Sequence, residues 1–230
     1  MKSFLVANPK GGSGKSTLAT NLAGYFARAG EQVMLGDTDV QQSSREWLRL
    51  RSPQLPRIGT WELGERGKAG EAGKAGAAGK SATGKAVSLT ARPPAGTTRV
   101  VLDTPAGLHG KALERCVKRV NRVIVPVQPS LFDMLATRHF LETLLAEKAV
   151  RKERTFVAVV GMRVDARTRA ASELESFLAS YELPVLAYLR DTQLYPQTVA
   201  NGMTLFDLPP SRAARDLTAW QPILEWLDAA

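Results

Sequence analysis

A glycine-rich loop with two lysines lies near the start of the chain, directly after the apolar run 4–7. The loop reads Asn8-Pro9-Lys10-Gly11-Gly12-Ser13-Gly14-Lys15-Ser16-Thr17. Small residues let backbone N–H groups turn inward around phosphate oxygens. Lys15 would supply a point charge to the β- and γ-phosphates, and the Ser16 hydroxyl would bind Mg²⁺. Between a predicted strand and a predicted helix, this pattern indicates a site for ATP and Mg²⁺.

Carboxylates end or follow two further predicted strands. Asp103 ends the apolar strand 99–103, a Walker B pattern whose carboxylate reaches Mg²⁺, commonly through its water shell. Asp37 and Asp39 follow the strand 32–36 and could bind Mg²⁺ through water or orient an attacking water. A pair of this spacing can also cap a helix. We expect these acids beside the phosphate loop, since ligands bind at the carboxyl ends of parallel strands.

Three linked motifs resemble those of the ParA/MinD ATPase family. The loop is similar to its deviant Walker A motif, with Lys10 as the extra signature lysine and Pro9 where a general P-loop has its first glycine. The stretch 37–41 resembles the D-x-D-x-Q segment of the family, although Val40 stands where members usually have proline. The stretch 103–107 resembles its DxPAG switch turn. The resemblance covers most of the chain outside residues 64–86.

The resemblance implies roles for individual residues. In the family, ATP closes two subunits into a sandwich dimer, and the signature lysine, here Lys10, crosses to the nucleotide of the partner. The second Asp, here Asp39, polarises the hydrolytic water, and the loops after strands 155–161 and 184–189 contact adenine. The expected catalytic residues are Lys10, Lys15 and Asp39. The expected metal residues are Ser16, Asp37 and Asp103. The expected nucleotide contacts are Lys10, Gly11, Gly12, Ser13, Gly14, Lys15, Ser16, Thr17, Arg163 and Arg190.

Apolar strand-like runs alternate with segments of helical period along the chain. The predicted strands are 3–8, 32–36, 57–62, 99–103, 122–127, 155–161 and 184–189. The predicted helices are 15–29, 41–51, 108–119, 130–149, 167–181, 192–201 and 212–228. This order predicts an α/β fold, a doubly wound and mostly parallel sheet flanked by helices, as in P-loop NTPases. We expect one ATPase domain over 1–230.

An insertion at about 64–86 interrupts this order. Glycine recurs at every third position from Gly64 to Gly79, with alanine, lysine and glutamate between. The period is that of collagen, but the segment has no proline and a triple helix needs three chains. A flexible, solvated insertion is expected because the segment has almost nothing to bury. Its lysines could also touch nucleic acid weakly.

The chain carries a net charge of +9, which favours a polyanionic partner such as DNA or an anionic membrane, although part of it could only solubilise the surface. The candidate DNA contacts are Arg163, Arg167, Arg169, Arg212 and Arg215. Each of these clusters alone could instead be a solvated face. The last helix has no lysine or arginine after Arg215, so we expect it to pack on the domain or bind a partner rather than anchor to membrane.

The sequence also limits where the protein acts. It has no apolar stretch of about 18 residues and no signal peptide. We therefore expect no stable membrane insertion and a location in the cytoplasm. A single cysteine, Cys116, excludes an internal disulfide. The N-terminus begins directly with the ATPase strand, so specific operator binding is not expected.

The hypothesis is a DNA-binding ATPase switch that associates with the nucleoid when ATP-bound. It would position a plasmid, chromosome region or protein cargo, with a ParB-like or cargo-linked activator protein. Three alternatives remain open: an ATP-dependent ligase or amidase of the related group, a MinD-like regulator cycling on membrane, and a module that holds ATP with negligible turnover.

Overall fold

The computed structural model describes residues 1–39, 41–61 and 92–229 of the 230-residue chain. The predicted insertion at 64–86 therefore lies outside the described residues, as does Val40.

The described strands form one seven-stranded sheet of order β3-β2-β4-β1-β5-β6-β7. Their bounds are β1 (Lys2–Val6), β2 (Val33–Asp37), β3 (Ile58–Gly59), β4 (Arg99–Asp103), β5 (Arg122–Val127), β6 (Phe156–Met162) and β7 (Val185–Leu189). Each strand pair in this sheet is parallel, which confirms the predicted architecture. The chain crosses from one side of β1 to the other between β4 and β5, so the sheet order reverses at β1. Ligand crevices of open α/β sheets lie at such a reversal.

Helices cover both faces of the sheet. They are α1 (Lys15–Arg28), α2 (Ser43–Leu50), α3 (Gly110–Val117), α4 (Leu131–Ala146), α5 (Lys148–Arg151), α6 (Arg169–Ala179), α7 (Leu194–Ala200) and α8 (Pro210–Asp228), with a 3₁₀ turn at Leu205–Asp207. The helix predicted at 130–149 is wrong in its extent, because Glu147 has an extended backbone with ψ 134° and separates α4 from α5. The 3₁₀ turn was not predicted.

The core consists of one apolar layer on each face of the sheet. Leu5 packs in the layer of α3, α4 and α6, whereas its neighbours Phe4 and Val6 pack in the layer of α1 and α8. Successive strand side chains point to opposite faces, so a strand buried on both sides has no polar alternation. This explains why the strands appear in the sequence as continuous apolar runs.

Helix α8 packs on the sheet, which is one of the two alternatives that the sequence left open. Trp220, Ile223 and Leu227 on this helix are fully buried. At its end, the carbonyl oxygen of Ala229 accepts hydrogen bonds from Lys2 at 2.8 Å and from Arg122 at 2.6 Å. Among the described helices, none combines the length and the apolar character needed to cross a membrane.

Candidate nucleotide-binding site

The loop after β1 depends on glycine at two positions. Gly12 has a φ of +78° and Gly14 a φ of +96°, a region that side chains with a Cβ rarely adopt. A Cβ on Gly14 would also lie 2.9 Å from the Met162 side chain. Helix α1 begins immediately afterwards at Lys15, so its free N–H groups and the positive end of its dipole face the loop. This geometry suits the binding of phosphate groups.

Asn8 anchors the start of the loop to the neighbouring strand. Its side chain is fully buried and donates hydrogen bonds to the Pro126 carbonyl at 2.8 Å and to the Thr137 hydroxyl at 3.0 Å. Its Oδ1 accepts a hydrogen bond from the Lys10 N–H at 2.8 Å. The loop is therefore held in shape before any ligand binds, which lowers the entropic cost of binding.

The two lysines of the loop have different environments. Lys15 is buried, and its Nζ donates to the Lys10 carbonyl oxygen at 2.8 Å. Desolvation lowers the pKa of Lys15, an effect opposed by the charges of Asp103 and Asp39. The Lys10 residue is exposed. One lysine thus lies inside the loop, and the other lies where a group from outside can reach it.

Asp103 combines deep burial with an unsatisfied oxygen. It is 1% exposed, and its Oδ2 accepts a hydrogen bond from the Ser44 hydroxyl at 2.5 Å. Its Oδ1 has no hydrogen-bond partner among the described residues. Desolvation raises the pKa of Asp103 to about 6, although the nearby hydroxyls of Ser44 and Ser16 and the charge of Lys15 act to lower it. A buried carboxylate oxygen in this condition is costly unless a cation satisfies it.

The other two acids bond to backbone near their own positions. Asp37 Oδ1 accepts from the Asp39 N–H at 2.9 Å, and its Oδ2 accepts from the Ser44 N–H at 2.9 Å and the Arg45 N–H at 3.3 Å. Asp37 therefore caps the first turn of α2, the alternative that its spacing left open. Desolvation nevertheless raises its pKa. Asp39 accepts from the Gln41 N–H at 2.9 Å and is only partly buried. The metal role of Asp37 and the catalytic role of Asp39 stay predictions.

The donor set fits Mg²⁺ bound together with a nucleotide. Within the described ranges there is no group of three or more histidine, cysteine, aspartate or glutamate residues that could hold a metal ion alone. Mg²⁺ typically takes one or two carboxylates and completes its octahedron with substrate phosphates and water. The free Asp103 Oδ1 and the Ser16 hydroxyl beside it match that requirement.

The turn after β4 is connected to the phosphate loop. The Gly107 N–H donates to the Pro9 carbonyl at 2.9 Å, and Gly107 has a positive φ of +79°. The Thr104 hydroxyl donates to the Val6 carbonyl at 2.8 Å. Movement of this turn would therefore displace the phosphate loop.

A cavity of about 360 Å³ extends from the loop to the carboxyl ends of β6 and β7. Arg163 and Arg190 line it together with Gly14 and Thr17, so the two predicted adenine-contact residues do lie beside the loop. Asp216, which is 3% exposed, accepts two hydrogen bonds from Arg190 at 2.8 Å each and fixes its guanidinium plane. A fixed, planar cation can stack on an aromatic base.

The basic residues predicted for DNA fall into separate environments. Arg163 lines the cavity, whereas Arg167 and Arg169 pair on the surface with Asp165 and Glu173 at 2.9 and 2.8 Å. The hydrogen bonds of Arg167 lower the pKa of Asp165 to about 2. On α8, the first turns carry two further exposed arginines, Arg212 and Arg215.

Sequence reasoning missed three residues that shape the site. Asn8 and Ser44 were not assigned roles, and Gln128, which donates to the Gly12 carbonyl at 2.5 Å, was not singled out. Asn8 and Gln128 are polar residues directly after the strands β1 and β5, which is a signal that could have identified them. Ser44 has no such signal, because it lies in the first turn of α2 and not directly after a strand.

The chain is similar to known proteins in sequence and in fold. A "Maintenance of carboxysome distribution protein A" from Gloeobacter kilaueensis is 28% identical over 225 residues, covering 97% of this chain and 92% of that protein. The "Chromosome-partitioning ATPase Soj" of Thermus thermophilus is 29% identical over 196 residues, covering 79% and 77%. The septum site-determining protein MinD of Pyrococcus horikoshii, solved with Mg-ADP, shares the fold with a TM-score of 0.65 at 15% identity, covering 99% of this chain and 96% of that one.

The model of the CobQ/CobB/MinD/ParA nucleotide-binding domain matches residues 4–205, most of the chain. The chain therefore belongs to the CobQ/CobB/MinD/ParA family of nucleotide-binding domains.

Proposed function

We propose that this protein is an ATP-hydrolysing switch that forms an ATP-bound sandwich dimer, binds non-specific DNA and positions a cargo. The observation that carries the proposal is the pair of loop lysines, Lys15 buried inside the loop and Lys10 exposed at its rim. Because Lys10 is exposed at the rim, it would be available to a nucleotide held by a second subunit that faces the loop. The similarity to a chromosome-partitioning ATPase and a carboxysome-distribution protein supports positioning as the task.

The residues around the loop divide the work of hydrolysis. The loop amides and Lys15 would hold the phosphates, and Arg163 and Arg190 the adenine. Mg²⁺, when bound, would offset negative charge on the transferred phosphoryl group. Ser16 and Asp103 would bind the ion. Asp39, which is partly exposed and near enough to Lys15 to act on its charge, would position the attacking water.

An apolar patch beside the loop supports a second copy as the partner. Leu131, Phe132 and Leu135, here called the α4 patch, are 63%, 74% and 47% exposed at the start of α4. The helix begins at the carboxyl end of β5, next to β1 and its loop. A subunit that covers Lys10 would therefore also cover the α4 patch, which would remove its apolar surface from water.

Replacing Phe132 with glutamate should prevent dimer formation without preventing ATP binding. A buried aromatic anchor typically contributes at least about 2 kcal/mol at an interface, and a carboxylate in its place must be desolvated. Sedimentation with Mg²⁺ and a non-hydrolysable ATP analogue should give a dimer for the wild type, whose chain mass is 24.9 kDa, and a monomer for Phe132→Glu.

The matched control is Phe156→Glu, since Phe156 is 47% exposed at the amino end of β6, far from the loop. This variant should dimerise as the wild type does. A wild type that stays monomeric with the analogue would contradict the sandwich dimer, and a Phe132→Glu variant that dimerises normally would remove the α4 patch from the interface.

DNA binding would follow from charge rather than from base reading. The net charge is +9, and Arg167, Arg169, Arg212 and Arg215 are exposed. Arginines that neutralise phosphates bind any sequence, with strong salt dependence. Nucleoid association, a ParB-like or cargo-linked activator, and release after hydrolysis belong to this proposal.

Two alternatives make different demands. A ligase would pass the γ-phosphate to a carboxylate substrate, so release of phosphate from ATP and Mg²⁺ without any metabolite argues against it. A membrane-cycling regulator would use a free amphipathic helix, and α8 does not supply one, because its apolar face is buried on the sheet.

A further inference from the structure

Ser44 connects the candidate metal ligand to the first turn of α2. Its side chain is fully buried, and its Oγ donates to Asp103 Oδ2 at 2.5 Å. Its N–H donates to Asp37 Oδ2 at 2.9 Å. Ser44 thus contacts the carboxyl ends of both β2 and β4, which are paired with Asp37 opposite Asp103.

The hydrogen bond from Ser44 makes the two carboxylate oxygens of Asp103 different. With Oδ2 taken, Oδ1 is the oxygen without a partner in the part of the chain that the structure describes. A carboxylate fixed through one oxygen cannot rotate freely, so the other oxygen keeps one direction. The arrangement resembles the outer-shell hydrogen bonds that orient metal ligands in proteins.

Helix α2 depends on these same contacts at its start. Its N-cap residue, Gln42, makes no side-chain capping hydrogen bond among the described residues and has a positive φ of +51°. The first turn is held instead by the Ser44 contacts to the two aspartates and by Arg45 N–H on Asp37. At the other end, Leu50 is 59% exposed, so movement of the helix would appear on the surface.

We propose that Ser44 is a positioning residue that orients Asp103 for Mg²⁺, and that ion binding is transmitted through Ser44 to α2. The inference rests on the proposed Mg²⁺–ATP site. A serine with a purely structural role would donate a hydrogen bond to the buried carboxylate without changing the affinity for the metal ion. The two readings differ in metal affinity, which can be measured without turnover.

The first test measures Mn²⁺ affinity by electron paramagnetic resonance with a non-hydrolysable ATP analogue. Loss of an outer-shell partner typically weakens metal binding about 10–100-fold, and we expect that loss for Ser44→Ala. Analogue binding in EDTA should stay at the wild-type level, which also shows that the variant is folded. Ser43→Ala, at the exposed neighbouring serine, should leave the Mn²⁺ affinity unchanged.

If Ser44→Ala does not bind the analogue in EDTA, Ser44→Cys gives the same comparison, because its thiol has a similar shape and is a weak donor. Unchanged Mn²⁺ affinity in a folded Ser44 variant would overturn the inference while leaving the proposed function intact. A wild type that binds no Mn²⁺ with the analogue would instead overturn the proposed function.

The second test follows α2 directly. Trp47 lies on this helix and is 4% exposed, so a fluorine label on its ring reports local packing. In ¹⁹F NMR of protein labelled with 5-fluorotryptophan, with the Trp47 signal assigned from Trp47→Phe, adding Mg²⁺ to the analogue complex should shift that signal. The shift should persist in Ser43→Ala and disappear in Ser44→Ala. A signal that does not respond in the wild type would overturn the transmission to α2.

Discussion

Replacing Lys15 with alanine should lower kcat/KM for ATP hydrolysis by about 10²–10³-fold or more, the typical cost of removing one charge-stabilising donor. Lys15 is buried in the loop with its Nζ 2.8 Å from the Lys10 carbonyl, which places its charge where phosphates would lie. No other loop side chain could replace it, because Lys10 is exposed. Phosphate release with ATP and Mg²⁺ measures the effect.

The loss should come without unfolding. Desolvation lowers the pKa of Lys15, so its charge is unfavourable in the free protein and alanine removes that cost. The Tm of Lys15→Ala should therefore equal or exceed that of the wild type. The matched control, Lys111→Ala, changes an exposed lysine on α3 and should alter neither rate nor melting. Wild-type turnover by Lys15→Ala would refute the ATPase account.

Replacing Asp103 with asparagine should stabilise the nucleotide-free protein while removing its Mg²⁺-dependent hydrolysis. Burial raises the pKa of Asp103 to about 6 from an ordinary value of 3.8, so ionisation costs more in the folded than in the unfolded chain. Each pKa unit corresponds to about 1.4 kcal/mol, so the cost is at most about 3 kcal/mol. Half of that bound would raise the Tm by about 3–6 °C for a chain of this length.

The stability difference between Asp103→Asn and the wild type should depend on pH in a defined direction. The carboxyl is protonated in both states only well below its ordinary pKa of 3.8, so the advantage of asparagine should be small at pH 4 and vanish at lower pH. It should grow between pH 4 and 6 and be complete above that, because Asp103 is then ionised in both states. Calorimetry at pH 4 and pH 8 makes the comparison. Asp165→Asn is the control, since Arg167 lowers the pKa of exposed Asp165 and no gain is expected at pH 8. A lower Tm for Asp103→Asn at pH 8 would contradict the buried-charge explanation.

Local sequence signals predicted much of the site. Glycine spacing, the lysines and the apolar strands before the loop and before Asp103 are contiguous features, and the structure places them together at the carboxyl ends of β1 and β4. The alternative that Asp37 caps a helix was also visible in its spacing. The sequence could locate these features because each depends on neighbours within a few residues, while their roles stay predictions.

Contacts between distant segments could not be predicted. The Ser44–Asp103 bond joins residues 59 positions apart, and Asn8 reaches Thr137 across 129 positions. Arg163 and Arg167 are both predicted DNA contacts, yet Arg163 lines the cavity beside the loop whereas Arg167 pairs with Asp165 on the surface. No glycine or proline near Glu147 indicates the break of the predicted helix there.

The most direct test of the switch is binding of labelled non-specific duplex DNA, by fluorescence anisotropy, with a non-hydrolysable ATP analogue, with ADP and without nucleotide, over a salt series. The account predicts binding with the ATP analogue alone, falling steeply with salt by about one unit of log slope for each phosphate neutralised. An Arg167→Glu, Arg169→Glu variant should bind more weakly and with a shallower slope. Binding that is absent in all three states, or equal in them, would contradict a DNA-binding switch controlled by ATP.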